Sequence, residues 1–463
     1  MGNRSMSDDS QVGGGVRVDP AIFKAYDVRG VYPGELNEEI AYRIGRAFVA
    51  FLGVDRVAVG RDMRLSGPAI AGALSQGIAA QGAEVVDLGL TSTDELYFAV
   101  GKFGYPAGAM VTASHNPAEY NGLKLCRAEA IPLSEETGIT QIRDMVMNDA
   151  IPEAQGRGRV STRDVLDDYI AHALGFIDVG ALRPLRVVAD AGNGMAGMIL
   201  PRVFERLPCE LVPLYFELDG SFPNHPANPI EPENIVDLQD KVRETGADLG
   251  VAFDGDADRM FIVDERGAFV GGDMVTAMVA QRLLSRAPGA TIVYNLICSR
   301  SVPQTIERLG GKAVRERVGH SFIKATMRRE DAIFGGEHSG HFYFRDNWYA
   351  DSGLIAFLTV LELVSLQNKT VSQILAPLDP YVRSGEINSE VRDIGAVLAR
   401  VEEHYRAAGA TIDTLDGLTV EYPDWWFNLR PSNTQPLLRL NVEASNEAQL
   451  RAKTDEVLGL VRA

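Results

Sequence analysis

Thr112 to Pro117 reads TASHNP, and a serine held between a strand end and a Pro-fixed turn can present its hydroxyl outward, with His115 and Asn116 to polarise neighbouring groups. On spacing alone, an Asn-Pro turn without chemistry is the stronger reading. Further along, DGDADR sets Asp254, Asp256 and Asp258 at i, i+2 and i+4. In an extended segment these side chains project to one face, and Gly255 and Ala257 leave room for them. Three converging carboxylates repel one another, so a hard divalent cation is their natural partner, with a solvated acidic turn as the alternative. Glu265 stands at the twelfth position of an EF-hand loop, but Arg259 occupies the place that demands glycine and strands flank the segment, which excludes a calcium switch.

GEHSGH, Gly336 to His341, follows an apolar strand and offers an acceptor in Glu337, a hydroxyl in Ser339 and two histidines. The histidine pair lacks a third zinc ligand, whereas Glu and Ser suit hydroxyl groups such as those of a sugar. RPSNTQP, Arg430 to Pro436, places a guanidinium, two hydroxyls and an amide in a tight loop whose backbone amides can form an anion nest. Phosphate is the best-fitting ligand there, and a plain polar turn is the alternative. GNGMAG, Gly192 to Gly197, satisfies the dinucleotide pattern after a strand, yet tight strand-to-helix turns need glycines in any case. No GxxxxGK[ST] is present, so a P-loop is unsupported.

The elements that position these loops alternate. VAVG (57–60) reads as a buried strand, Ser66 to Gln81 as a small-residue helix, Ala83 to Leu88 as a strand; a helix from Asp94 and a strand ending at Thr112 follow. Apolar strands without alternation imply mostly parallel sheets covered on both faces. The series restarts with a helix at 163–176, strand 185–190, a helix after Met195, a strand near 211–216 and a final strand ending at Asp254. A third cycle runs through helix 273–285, strand 291–296, helix 302–309, a strand to Val318, helix 320–329 and strand AIFGGE. Beyond Pro380, a helix at 391–408, three close strands (418–422, 425–429, 436–442) and a closing helix suggest a small α+β domain. The expected division is 1–160, 161–267, 268–377 and 378–463.

A chain of 463 residues supports several domains, and 46% hydrophobic with 23% charged residues is globular composition. The net charge of -18 argues against an unspecific grip on nucleic acid or anionic membrane, so any anionic substrate must be caught by a local basic site. Cys126, Cys209 and Cys298 lie far apart without CxxC spacing, which makes a reducing cytoplasm the default. No obligate protein partner is evident. The first fifteen residues read as a disordered tail, with Met6 as an alternative start.

Together and in this order, TASHNP, DGDADR, GEHSGH and RPSNTQP resemble the four active-site loops of the α-D-phosphohexomutases, specifically the phosphomannomutase/phosphoglucomutase group. YDVRG at Tyr26 to Gly30 and YNGLK at Tyr120 to Lys124 extend the resemblance over essentially the whole chain. It implies four domains around a central cleft, three related α/β domains and a smaller TBP-like fourth. It further implies that Ser114 carries a phosphoryl group, that Asp254, Asp256 and Asp258 bind magnesium with the phosphoserine oxygen, and that Arg259 meets the phosphoserine. Arg29, Lys124, His320 and His341 resemble positions implicated in proton transfer or in organising the cleft, Lys124 through a pKa depressed among cations and metal. Tyr26, Glu337 and Ser339 fall at substrate-binding positions, and Arg430, Ser432, Asn433 and Thr434 look like the clamp for the unreacting phosphate.

The implied reaction interconverts hexose 6-phosphate and hexose 1-phosphate through a hexose 1,6-bisphosphate, which also primes the enzyme. Glu337 and Ser339 on O3 and O4 would remain nearly equivalent when the sugar turns end for end, leaving little leverage against the C2 epimer, so both mannose and glucose phosphates are expected substrates. Relatives often carry a lysine where this chain has Ile297, a loss that Arg300 or Arg317 would offset. Phosphoglucosamine mutases, the nearest alternative, typically show GEQSGH and RPSGTEP, from which His338 and SNTQP depart. From a different class, a phosphatase with Asp254 as nucleophile of a DxD loop is the rival reading.

Overall fold

The structure, a computed structural model, describes residues 18–154, 156–431 and 437–463. The expected N-terminal tail and the expected ligands Ser432, Asn433 and Thr434 lie outside the described residues. The described chain forms four sheets. In the first, the order is Val28–Val31, Tyr120–Arg127, Ala107–Val111, Arg56–Arg61, Glu84–Leu90 and Val160–Thr162, with Ile131–Pro132 added on Tyr120–Arg127. The second runs Phe269–Val270, Met260–Asp264, Leu249–Phe253, Arg186–Asp190, Glu210–Leu214, and the third Lys312–Glu316, Thr291–Asn295, Phe334–Gly336, Phe342–Phe344, Ala350–Asp351. The fourth is wholly antiparallel, in the order Val382–Glu390, Leu437–Ala444, Trp425–Pro431, Leu418–Glu421, Thr411–Asp413.

One topology recurs in the first three sheets. Ala107–Val111 pairs in parallel with Arg56–Arg61 and then turns back, antiparallel, as Tyr120–Arg127. Leu249–Phe253 does the same between Arg186–Asp190 and Met260–Asp264, and Phe334–Gly336 between Thr291–Asn295 and Phe342–Phe344. The inner strands are buried along their whole length, as apolar sequences without alternation require when both faces are covered. Each of the three inner loops of interest is therefore the connection of one such antiparallel pair, and RPSNTQP spans the matching connection between Trp425–Pro431 and Leu437–Ala444.

Several elements depart from the sequence expectation, among them the edge strand Val382–Glu390. The strand before Asp254 is not the last of the second unit, because Met260–Asp264 and Phe269–Val270 extend the sheet antiparallel. Gly353–Gln367 forms a helix, buried from Gly353 to Ser365, between helices of the second and third units. Being apolar on every side, it carries no 3.6-residue period by which an amphipathic helix is read. No helix among the described residues is long and apolar enough to cross a membrane.

The polar group within that helix is Glu362, fully buried and held by Arg282 at 2.7 and 2.9 Å, by Arg286 and by the backbone amide of Asp178 at 2.8 Å. Glu362→Ala would leave guanidinium groups without their buried partner. It is expected to lower stability by about 3 kcal/mol, read as a fall in Tm, while turnover at a temperature where the variant is folded stays at the wild-type value.

Candidate active site

Ser114 sits at the end of the buried strand Ala107–Val111, where Thr112 Oγ1 accepts its backbone N–H at 2.8 Å. Its backbone is left-handed, φ 50°, which turns the chain sharply enough to aim the side chain back at the second domain. The expectation of an outward hydroxyl is corrected: Ser114 is 2% exposed, because its loop lies against the metal loop. Its Oγ donates to Asp254 Oδ2 at 2.6 Å and accepts from Arg259 Nη2 at 3.0 Å, with His115 Nδ1 at 3.2 Å. Burial and then the Arg259 guanidinium hold the His115 imidazole well below its ordinary pKa, so it stays neutral.

The close approach depends on glycine. A Cβ on Gly255 would lie 2.6 Å from the Ser114 carbonyl oxygen, and one on Gly194 would lie 2.7 Å from the Gly255 carbonyl oxygen. Met195 donates its backbone N–H to that same Gly255 oxygen at 2.9 Å. The GNGMAG turn thus packs against the acidic loop through Gly194, while Gly192 takes a left-handed φ of 52° and a Cβ on Gly197 would meet the Phe216 carbonyl, which accounts for its glycines without a dinucleotide.

Asp254, Asp256 and Asp258 do converge, their nearest carboxylate oxygens all within 4.8 Å of one another. They do so by a tight turn in which Ala257 has φ 63°, not by the alternation of an extended strand. Asp256 Oδ1 and Asp258 Oδ1 are buried without a hydrogen-bond partner among the described residues. Orphaned anionic oxygens of this kind fit a hard divalent cation, which takes carboxylate oxygens as ligands. Burial, followed by the neighbouring Asp256 carboxylate, pushes Asp258 upward; burial acts the same way on Asp256, but Lys124 outweighs it and holds Asp256 well below the usual range.

Lys124, on Tyr120–Arg127, places Nζ 2.6 Å from Asp256 and 2.5 Å from Asp258. Burial lowers the Lys124 pKa, yet the two carboxylates outweigh burial and raise it above its ordinary value. Arg259 is buried, bonds Asp254 at 2.9 Å, and likewise stays charged because Asp254 and Asp258 outweigh burial. Arg29 bonds Asp27 at 2.8 Å, the Ala113 carbonyl at 3.2 Å and the Asn116 side chain, so it braces the serine loop.

The third loop meets the second through its backbone, Met260 N–H donating to the Gly340 carbonyl at 3.2 Å. His341 Nδ1 lies 2.9 Å from Asp351 and 3.9 Å from Asp258; burial lowers its pKa, but Asp258 and Asp351 outweigh this and raise it. Asp351 also takes Lys324 at 2.7 Å. His320 opens the helix His320–Glu330 edge-on to Tyr26, and burial, then Lys324, holds its imidazole well below the usual value.

A cleft of about 1320 Å³ runs between the four domains. Tyr26, His115, Arg259, Ser339, Arg430 and Arg317 line it, together with Glu386, which accepts from Arg430 at 3.1 Å. Glu337 lies behind this wall, accepting from the Tyr343 hydroxyl and from Asn295 Nδ2 at 3.3 Å. Of the two arginines expected to offset Ile297, only Arg317 lines the cleft; Arg300 donates to the Pro423 and Tyr422 carbonyls at 2.8 and 3.1 Å, away from it.

Arg64 escaped the sequence reading. It is buried and donates to the carbonyls of Ser114 at 2.8 Å, Asn116 at 2.6 Å, Pro117 at 2.7 Å and Tyr120 at 2.9 Å, clamping the whole serine loop. An arginine three residues past a buried strand, in RDMR, was the only available signal.

Three α/β domains of one topology, each bringing a hairpin connection to a shared cleft that Arg430 of a smaller antiparallel domain also lines, define a multidomain α/β enzyme with a central cleft. Comparison with known proteins gives the family. The models for domains I, II and III and the C-terminal domain of phosphoglucomutase/phosphomannomutase match residues 20–150, 167–267, 271–381 and 386–460. A phosphomannomutase of Escherichia coli is 43% identical over 450 residues, covering 95% of this chain and 99% of that protein. A phosphomannomutase/phosphoglucomutase of Pseudomonas putida is 39% identical over 441 residues, 94% of each chain. A solved phosphoglucomutase/phosphomannomutase family protein from Burkholderia thailandensis superposes with a TM-score of 0.89 at 36% identity, covering 96% of this chain and 98% of its own. The chain belongs to the phosphoglucomutase/phosphomannomutase family, the α-D-phosphohexomutases, and is an isomerase of hexose phosphates. The phosphatase alternative is not favoured by these relatives.

The Arg64 clamp makes a specific demand. Lysine cannot spread several donors over four carbonyls as guanidinium does, and a displacement of the serine loop near 1 Å is expected to reduce kcat about 100-fold. Steady-state assay of Arg64→Lys, with far-UV circular dichroism to confirm the fold, checks this.

Proposed function

We propose that the enzyme interconverts the 6-phosphates and 1-phosphates of mannose and glucose through a phosphorylated Ser114, with hexose 1,6-bisphosphate as intermediate and primer. The observation that carries this reading is the Ser114 hydroxyl, 2.6 Å from Asp254 and 3.0 Å from Arg259, buried beside His115 and Arg259 of the cleft wall. In the first half-reaction the bond between Ser114 Oγ and phosphorus breaks and a sugar hydroxyl oxygen takes the phosphoryl group. In the second, after the sugar turns, its other phosphate passes to Ser114 Oγ. Little covalent work falls to the protein in such a transfer; positioning and charge neutralisation supply the rate.

Asp254, Asp256 and Asp258, with an oxygen of phosphoserine, would hold Mg²⁺, whose charge would offset that of the transferring group. Arg259, charged and buried, donates to Ser114 Oγ at 3.0 Å. The accepting hydroxyl must lose a proton. Lys124, kept protonated by two carboxylates, suits charge stabilisation, whereas His320, kept neutral beside Tyr26, suits acceptance of that proton. Arg29 holds the serine loop, and His341 orders the metal-loop flank through Asp351. Ser339 on the cleft, backed by Glu337, would bind sugar hydroxyls, and Arg430 with Ser432, Asn433 and Thr434 would clamp the unreacting phosphate, Arg317 adding the charge that Ile297 lacks. We assign the protein to the cytoplasm on its unpaired cysteines.

With glucose 1,6-bisphosphate as primer, the wild-type chain is expected to turn over both mannose and glucose phosphates with a preference below about 10⁴, the range of dedicated hydroxyl reading. Ser114→Ala is expected to abolish both activities with the fold intact. Release of inorganic phosphate without interconversion would instead support the phosphatase.

A further inference from the structure

Asp94, two residues into a helix that touches the metal loop, is buried to 1% exposure, and its carboxylate is surrounded by hydroxyl donors. Oδ1 accepts from Ser92 Oγ and from the Glu95 amide at 3.1 Å. Oδ2 accepts from the Tyr169 hydroxyl and from Ser352 Oγ at 2.9 Å, and the Tyr169 and Ser352 oxygens are themselves 3.1 Å apart. Tyr169 belongs to the helix Leu166–Leu174 of the second domain, and Ser352 caps Gly353–Gln367 of the third, its Oγ accepting from Ile355 N–H at 3.1 Å. One carboxylate thus gathers side chains from three domains.

Thr93, beside Asp94, and Asp351, beside Ser352, both reach toward the acidic loop. Thr93 donates its backbone N–H to the Asp256 carbonyl at 3.1 Å and its hydroxyl to the Asp256 carboxylate. Asp351, adjoining Ser352, holds His341 at 2.9 Å, and His341 stands 3.9 Å from Asp258. Displacing Asp94 would loosen Thr93 on one flank of the loop and Asp351 on the other. Burial pushes the Asp94 carboxyl up to about 8, and a wholly buried polar group of this kind carries a desolvation penalty that apolar groups of the same shape would avoid.

We propose that Asp94 is a positioning residue for the metal loop, fixing Asp256 through Thr93 and the His341 flank through Ser352 and Asp351. The proposal rests on the reading of Asp254, Asp256 and Asp258 as a divalent-cation site. The test is binding of Mn²⁺ alone to the full chain, followed by the electron paramagnetic resonance signal of free Mn²⁺, with no turnover required. Asp94→Asn keeps the shape but replaces acceptor capacity by an amide donor, and is expected to weaken Mn²⁺ binding about 10-fold. Tyr169→Phe, which deletes one hydroxyl and is the gentler change, is expected to shift it in the same direction by less. Glu362→Ala, destabilising but remote from the loop, is expected to lower Tm without moving the Mn²⁺ dissociation constant. Unchanged Mn²⁺ affinity in both Asp94→Asn and Tyr169→Phe, or in Tyr169→Phe alone if Asp94→Asn does not fold, overturns the proposal. Asp256→Asn separates the two levels: if it also leaves Mn²⁺ binding untouched, the cation reading itself fails and the role of Asp94 falls with it.

Discussion

Three carboxylates drawn to one buried point beside a serine form the constraint on which the rest of this structure depends. Without compensation they repel one another, and two of their oxygens, on Asp256 and Asp258, find no hydrogen-bond partner among the described residues. The surrounding chain answers with charge and with closeness. Arg259 and Lys124 supply two buried or half-buried cations, while Gly255 and Gly194 let three loop backbones approach to distances that a side chain would forbid. Under the function proposed above, such a site would hold an anion and a divalent cation together, as phosphoryl transfer from a serine demands.

The fold makes this convergence possible through one repeated device. A buried parallel strand ends at the cleft, turns, and returns antiparallel, so that the turn is rigidly carried on both sides. Rigid elements hold functional groups more accurately than free loops do. The second and third turns are joined directly, through the Met260 amide and the Gly340 carbonyl. The first is pressed on the second at Gly255 and clamped from below by Arg64. The cleft therefore has a floor of three interlocked turns, and Arg430 of the fourth domain faces it across a space large enough for a sugar carrying two phosphates.

Much of this was legible in the sequence, for reasons that mark where such reading ends. The four loops stood out because glycine, proline and clustered polar residues interrupt apolar strands, and strand and helix alternation in the first three units followed from periodicity. What failed was whatever depends on residues distant in sequence. Nothing in RDMR says that its second arginine meets four carbonyls some fifty residues away, and nothing in STDEL says that Asp94 meets Tyr169 and Ser352. The helix Gly353–Gln367 was hidden by its uniform apolarity, and the strand Val382–Glu390 by its polarity at a sheet edge. The pKa of Lys124 likewise turns on charges distant in sequence, Asp256 and Asp258, which stand beside it only in the fold.

The central claim is that Ser114 carries the phosphoryl group between the two half-reactions. It is tested most directly by intact-mass measurement and site mapping of the wild-type chain after incubation with glucose 1,6-bisphosphate. The account predicts the added mass of one phosphoryl group, located on Ser114 and stable under mild acid. A phosphoryl group mapped to Asp254, or none at all in a preparation that still interconverts hexose phosphates, would contradict it.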